Sequence, residues 1–203
     1  MEFSIKKYST FGLLVGSFAL LSCGRSATSN EKTSFTRIDS LTETYLTLQD
    51  TLLHSWNILI KDEQEKMNSV NAALDHLKKL TLPDPSQLAS LSTRFEQLKQ
   101  LHLTQKTLSN QYVIEEYDFA TNSLISEILS ISDANPALLQ NKDLLNLIDK
   151  IKIADQRTSI YRLGYDSIAY QLNVFIEKNK LLLRDVDNGS LEKKPMFSVA
   201  TSR

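Results

Sequence analysis

The sequence predicts an all-α chain: an antiparallel up-down bundle of three long helices, or four if a short helix forms near residues 137–140 or the second long helix breaks. Three observations lead there. Between Arg37 and Leu183 the strong breakers are only Pro83, Pro85, Pro136 and Gly164, whereas an all-β or doubly wound fold needs many more turns. Apolar residues recur at spacings of three and four along three stretches of matched length, each ~65–70 Å long as a helix. The composition, 203 residues with 41% hydrophobic and 23% charged, suits one medium-sized folded domain. A formal net charge of −1 lacks the basic excess that nucleic-acid binding needs, so no nucleic-acid partner is expected.

Residues 1–22 read as an export signal and stay outside the fold. Lys6 and Lys7 form a positive start, and Phe11 to Leu21 is an apolar run too short to span a bilayer, which takes ~20 helical residues. The run ends in Leu20-Leu21-Ser22-Cys23, which resembles the lipobox of bacterial lipoproteins, with Leu21 where Ala or Ser is commoner. That resemblance implies cleavage before Cys23 and lipidation of its sulfur, with a palmitate-type acyl chain often added to the new amino group. Two or three chains hold a protein firmly where one does not. Cys23 is the only cysteine, so there is no disulfide framework and no cysteine-based metal site. Residues 23–36, rich in Ser and Thr, read as the lipidated cysteine and a flexible tether; thirteen such residues reach roughly 20 Å. The expected partner at this end is the membrane, and the expected location is extracytoplasmic, periplasmic or surface-exposed.

The folded domain is placed at residues 37–184. Its first helix carries the seam Ile38, Leu41, Tyr45, Leu48, Leu52, Trp56, Leu59, Met67, Val70, Leu74 and Leu77. Asp62, Glu63, Glu65 and Lys66 interrupt it. These are read as a solvated face with local Glu/Lys pairs, in preference to a docking or ion site. Leu82-Pro83-Asp84-Pro85 is a turn, with Asp84 as N-cap, Pro85 at N1 and Gln87 placed to complete a capping box. The second helix, Ser86 to Ile131, would turn Leu88, Leu91, Phe95, Leu98, Leu101, Leu108, Tyr112, Phe119, Ile125 and Leu129 inward. Its pattern weakens at His102–Thr107 and Glu115–Asp118, where a kink or break fits. Asn135-Pro136 caps the next turn, a short helical turn at 137–140 precedes the third helix, and Asn141 is a second cap. The third helix ends near Leu183, and residues 185–203 read as a flexible tail along the surface.

The third helix keeps the seam Leu144, Ile148, Ile151, Asp155, Thr158, Arg162, Tyr165, Ala169, Leu172, Ile176. Asp155, Thr158 and Arg162 break its apolar run, and a charge there must be paired or served by water. Two readings stand: a polar layer that fixes helix register, or a pocket for a partner or small ligand. Asp166, four residues after Arg162, is placed to pair with it locally.

Asn135-Pro136-Ala137-Leu138, the leucine ladder at Leu144-Leu145-Asn146-Leu147, and Asp155 … Arg162 … Tyr165-Asp166 … Asn173 together resemble the C-terminal signature of the LemA family. In that signature an acid is followed by an Arg seven residues on, a Tyr-Asn pair, and a further Asn. Asp155, Arg162, Tyr165 and Asn173 fall on those positions, and Asp166 stands where the first Asn belongs. Lys194-Pro195-Met196-Phe197 is similar to the family's closing Lys-Pro-aromatic-Phe, and Leu52 to Trp56 to its Val-x-x-x-Trp entry. The match is good over residues 135–176 and weak between 60 and 135. The resemblance implies a long antiparallel helical bundle, here tethered by a lipid instead of the family's usual N-terminal membrane helix. It implies no reaction.

No catalytic constellation appears. His54, His76 and His102 lack the neighbours of a di-iron or HExxH site, and GxSxG, Walker A and GxGxxG are absent. Glu115, Glu116 and Asp118 have no identifiable fourth ligand. Tyr112, Tyr117, Tyr161, Tyr165 and Tyr170 are read as packing with wet hydroxyls. The expectation is therefore a lipid-anchored, non-enzymatic scaffold or interaction module without cofactor or metal, engaging an unidentified protein. The alternative is an envelope binding protein holding a small ligand or ion near Asp155 and Arg162.

Overall fold

The computed structural model describes residues 36–80, 84–184, 186 and 191–198 of the chain. The signal segment, Cys23 and the tether up to residue 35 lie outside these residues, as do the Asp187-Asn188-Gly189 turn and residues 199–203. The described residues are helical without strands: α1 (Arg37–Lys78), α2 (Pro85–Leu98), α3 (Gln111–Asp133) and α4 (Lys142–Leu183), with single 3-10 turns at Thr107–Ser109 and Leu138–Gln140.

Each start is explained by a side chain that takes up free backbone amides. Thr36 and Asp39 form a reciprocal capping box on α1, Asp84 caps α2, Asn110 caps α3 and Asn141 caps α4 through the Leu144 amide. Gln87 does not complete a box at α2; it reaches across to Glu127 of α3 instead.

The second of the three expected helices is two. Between Leu98 and Asn110 the chain leaves the helix, with Leu101 and Leu103 turned inward and His102 and Thr104 outward. That alternation belongs to extended backbone. The Thr104 and Thr107 hydroxyls then hold each other's amides at 3.1 and 2.8 Å. The break resets the helical phase, which corrects the expected inward set. Tyr112 and Phe119 are 82% and 77% exposed, while Ile114, Tyr117, Leu124, Ile125 and Ile128 face the core.

Both α1 and α4 contain 42 residues and pack along each other in opposite directions, since His76 meets Asn141, Asp62 meets Arg157 and Trp56 meets Tyr165. The core is divided along this pair. One apolar cluster joins the C-terminal half of α1 (Val70, Leu74, Leu77) to Leu91 and Phe95 of α2, Leu124 and Ile128 of α3, and Leu144 and Ile151 of α4. The other joins Tyr45, Leu52 and Leu59 of α1 to Tyr165, Leu172, Ile176 and Leu183 of α4. Burial in these clusters is the main favourable term, at about 25 cal/mol for each Å² of apolar surface removed from water.

The second cluster is closed partly by the tail. Residues 191–198 do not trail freely as the sequence suggested. Phe197 is buried in that cluster, with Leu191 and Met196 packed beside it. The physical reason is that α2 and α3 flank mainly the other half of the α1–α4 pair, leaving apolar surface that the returning chain covers.

Candidate functional site

Between the two apolar clusters lies a band of charged and hydroxyl side chains. On α1 it comprises Asp62, Glu63 and Lys66, all buried, with Lys66 only 2% exposed. The expectation of a solvated belt is thus corrected: these residues sit on the face that α1 turns toward α3 and α4. Glu65 alone of the four remains exposed.

Glu63 is the hub. Its Oε1 accepts from Lys66 Nζ at 3.0 Å and from the Thr158 hydroxyl at 2.9 Å, and its Oε2 accepts from the Tyr117 hydroxyl at 2.9 Å. Lys66 also donates to Thr158 Oγ1 at 3.1 Å and lies 3.6 Å from Asp155. Thr158 has one proton to give, shared between Glu63 and the Ala154 carbonyl at 3.1 Å. Three helices therefore meet on one carboxylate. Burial, reinforced by the negative charge of Glu63, pushes the Tyr117 phenol far above its ordinary pKa, so it stays a proton donor.

Two further ion pairs flank this hub. Arg157 of α4 meets Asp62 at 2.6 Å; Asp62 Oδ2 and Arg157 Nε find no partner among the described residues. Burial raises the pKa of Asp62 while Arg157 pulls it down, and burial prevails. On another side Arg162 grips Asp118 of α3 with two parallel hydrogen bonds of 2.7 Å. Burial opposes the charge on Arg162, but the bonds and charge of Asp118 outweigh it.

The four residues singled out on the seam of α4 thus separate. Asp155 stands at the rim, its side chain 45% exposed, and touches the layer only through Lys66. Arg162 pairs across to α3; the local bond to Asp166 that the sequence offered is not made. Tyr165 is fully buried against Trp56 and Phe197, with ring centroids 5.5 and 5.8 Å away. Burial, with Asp166 adding, pushes its phenol up to about 12, and its hydroxyl finds no partner among the described residues. Asn173 binds both backbone groups of Lys194, donating to the carbonyl at 2.8 Å and accepting from the amide at 2.6 Å. Asp166 accepts from the amides of Phe197 and Ser198, each at 2.8 Å, and from the Ser198 hydroxyl at 2.7 Å.

A cleft of about 260 Å³ opens on the layer, lined by Lys66, Asp118, Thr121, Asp155 and Arg162 among others. Thr121 is buried on its wall, its hydroxyl beside that of Tyr117. Among those residues no group of three or more His, Cys, Asp or Glu is placed to hold a metal ion. No described helix is long and apolar enough to cross a membrane. Sequence reading missed Glu63, Lys66 and Tyr117 as members of the site. The interruption of the α1 seam at Glu63, level with the interruption at Thr158 when α1 and α4 are antiparallel, was the signal.

No protein-family model matches the chain, and no curated protein or solved structure does either.

Proposed function

We propose that the chain is a lipid-anchored cell-envelope protein of the LemA type, whose helices form an antiparallel up-down bundle acting as a non-enzymatic scaffold or interaction module. The observation that supports this most is a convergence in space. Trp56, Arg162, Tyr165, Asn173 and the Lys194–Phe197 segment, far apart in sequence, meet around one patch of α1 and α4. They are among the positions on which the LemA resemblance rests; its proline-led start at residues 135–138 and its leucine ladder at residues 144–147 lie elsewhere on the chain. The acid that the resemblance places on Asp155 touches the neighbouring polar layer instead. In that layer Glu63 accepts three hydrogen bonds from side chains of α1, α3 and α4, an arrangement suited to holding helices in place.

In-cell crosslinking of the full chain beside Cys23→Ser, followed by capture and mass spectrometry, tests this reading. One partner recovered in near-stoichiometric yield only from the lipidated form would support a module working at the membrane. Absence of any specific partner, with both forms folded, would overturn it. The polar cleft lined by Lys66, Asp118, Asp155 and Arg162 favours a second reading, a small ligand held beside Asp155 and Arg162. It predicts ligand-dependent thermal stabilisation that vanishes in Arg162→Leu.

A further inference from the structure

The tail is held in the manner of a bound peptide. Four of its contacts use only the backbone: Asn173 takes the amide and carbonyl of Lys194, and Asp166 takes the amides of Phe197 and Ser198. Such bonds fix an extended segment without reading its side chains. The side chain engaged most fully is Phe197, with Leu191 and Met196 partly buried beside it. Its ring stacks on Trp56 at 6.3 Å, meets Tyr165 edge-on at 5.8 Å and lies under the Arg162 guanidinium at 4.7 Å. Ser198 adds one hydroxyl bond to Asp166, and Lys193 an exposed ion pair with Glu177 at 3.2 Å. Backbone bonds for affinity and a pocket for one side chain are the division of labour of peptide-recognition grooves.

We propose that the surface formed by Trp56, Arg162, Tyr165, Asp166 and Asn173 is a peptide-binding groove, filled here by the chain's own Lys194–Ser198, and that it accepts the same segment from a second copy of this chain. Every contact that holds the tail is available to an identical tail arriving from another molecule, so exchange costs no new interface. The attached tail competes at an effective concentration of the order of millimolar. Free copies therefore keep their own tails, and exchange takes hold where copies are crowded or the cis contact is weakened. The inference does not depend on lipidation or on the identity of any other partner.

Trp56 is the only tryptophan and touches the side chain that is read, so its emission reports occupancy directly. The acceptor is the full chain with Phe197→Ala, or Phe197→Leu if the former folds poorly by circular dichroism. The donor is the full chain with Asp166→Ala, Asn173→Ala and Trp56→Phe, which keeps the tail, lacks the groove and is silent at tryptophan wavelengths. Titrating donor into acceptor should return the acceptor's Trp56 emission to that of the unmodified chain along a saturable curve. A 1:1 species should appear in sedimentation, and neither should occur with a donor that also carries Phe197→Ala. A dye-labelled synthetic peptide of residues 191–203, followed by its anisotropy, should need about 100-fold more of the unmodified chain, whose groove is filled, than of the acceptor to reach half-binding. If that peptide leaves the emission of folded acceptor unchanged to millimolar concentration, the groove is refuted. If the peptide binds but the folded donor does not, the second copy is refuted as occupant. Should that donor not fold, the milder donor Asp166→Asn/Trp56→Phe, which still weakens the cis contact, replaces it, and its failure to bind folded acceptor refutes the second copy equally.

Discussion

Replacing Lys66 by Met should destabilise the protein by about 3–5 kcal/mol, because it leaves Glu63 ionised and buried without its cation. At the observed 3.0 Å separation, an effective dielectric constant near 20 gives a gross attraction of about 5–6 kcal/mol. The several kcal/mol needed to dehydrate each ion offset most of that in the intact pair, but after the substitution only the dehydration of Glu63 remains. For a domain of this size each kcal/mol lowers Tm by about 2–4 °C, so the melting point should fall by roughly 6–20 °C. The double variant Glu63→Leu/Lys66→Met removes both charges and should recover most of the loss. It still strands the Tyr117 hydroxyl, which donates to Glu63 at 2.9 Å, at a cost of about 1–3 kcal/mol. Adding Tyr117→Phe should remove that remainder, because Thr158 retains the Ala154 carbonyl as an acceptor. Urea unfolding of the four proteins measures the series. The reasoning fails if Lys66→Met costs under about 1 kcal/mol, or if the double variant is no more stable than the single.

Three further outcomes follow from the same geometry. Tyr165→Phe removes a buried hydroxyl that has no partner among the described residues and should leave stability unchanged or raise it by about 1 kcal/mol. Because the folded-state phenol is raised to about 12, its contribution is whole below its ordinary value of 10 and is lost as pH climbs between the two. The alkaline decline of Tm should accordingly be shallower in Tyr165→Phe. Asp62 has a raised pKa, so its contribution to stability is whole below its ordinary 3.8 and lost as pH rises through the folded-state value. The stability of Asp62→Asn relative to the unmodified protein should therefore be greater at pH 7 than at pH 3; a difference independent of pH, or opposite in sign, would contradict the assignment. Arg162→Leu removes the two bonds to Asp118 and the cation over Phe197, and should cost about 1.5–3 kcal/mol in thermal unfolding.

Local signals were legible, and long-range ones were not. The seams of α1 and α4 repeat over ten turns or more, and Asp84 and Asn141 announce their helices through chemistry confined to three residues. The break in the second helix was readable too. Leu101-His102-Leu103-Thr104 alternates with period two, and Ser109-Asn110 is a cap signal that a search for a continuous helix passes over. Glu63 and Lys66 were misread because their spacing of three is what an exposed pair shows. Their burial depends on Thr158, which is 92 residues from Lys66 in sequence, and on Tyr117. The tail is the sharper case. Asn173 and Lys194–Phe197 each stood out through the LemA resemblance, yet no local pattern says that one binds the other. That contact follows from which half of the α1–α4 pair the α2–α3 hairpin leaves uncovered.

The position of the polar layer explains why the protein keeps charges that an apolar core would do without. An apolar seam with repeats of three and four tolerates a slip of one turn, because Leu replaces Leu. A slip of α1 along α4 by one turn, about 5.4 Å, would carry Lys66 and Glu63 off Thr158 and into one of the two apolar clusters. Each unpaired ion would then cost several kcal/mol, so the layer penalises every register but one. The variant Glu63→Leu/Lys66→Met/Tyr117→Phe should therefore be stable yet less singular. Spin labels at the exposed positions Thr51 and Gln171 should give one narrow distance distribution in the unmodified chain and a broadened or split one in the triple variant. An equally narrow distribution in both would mean that packing alone sets the register, leaving the buried charges to serve the cleft beside Asp118 and Thr121.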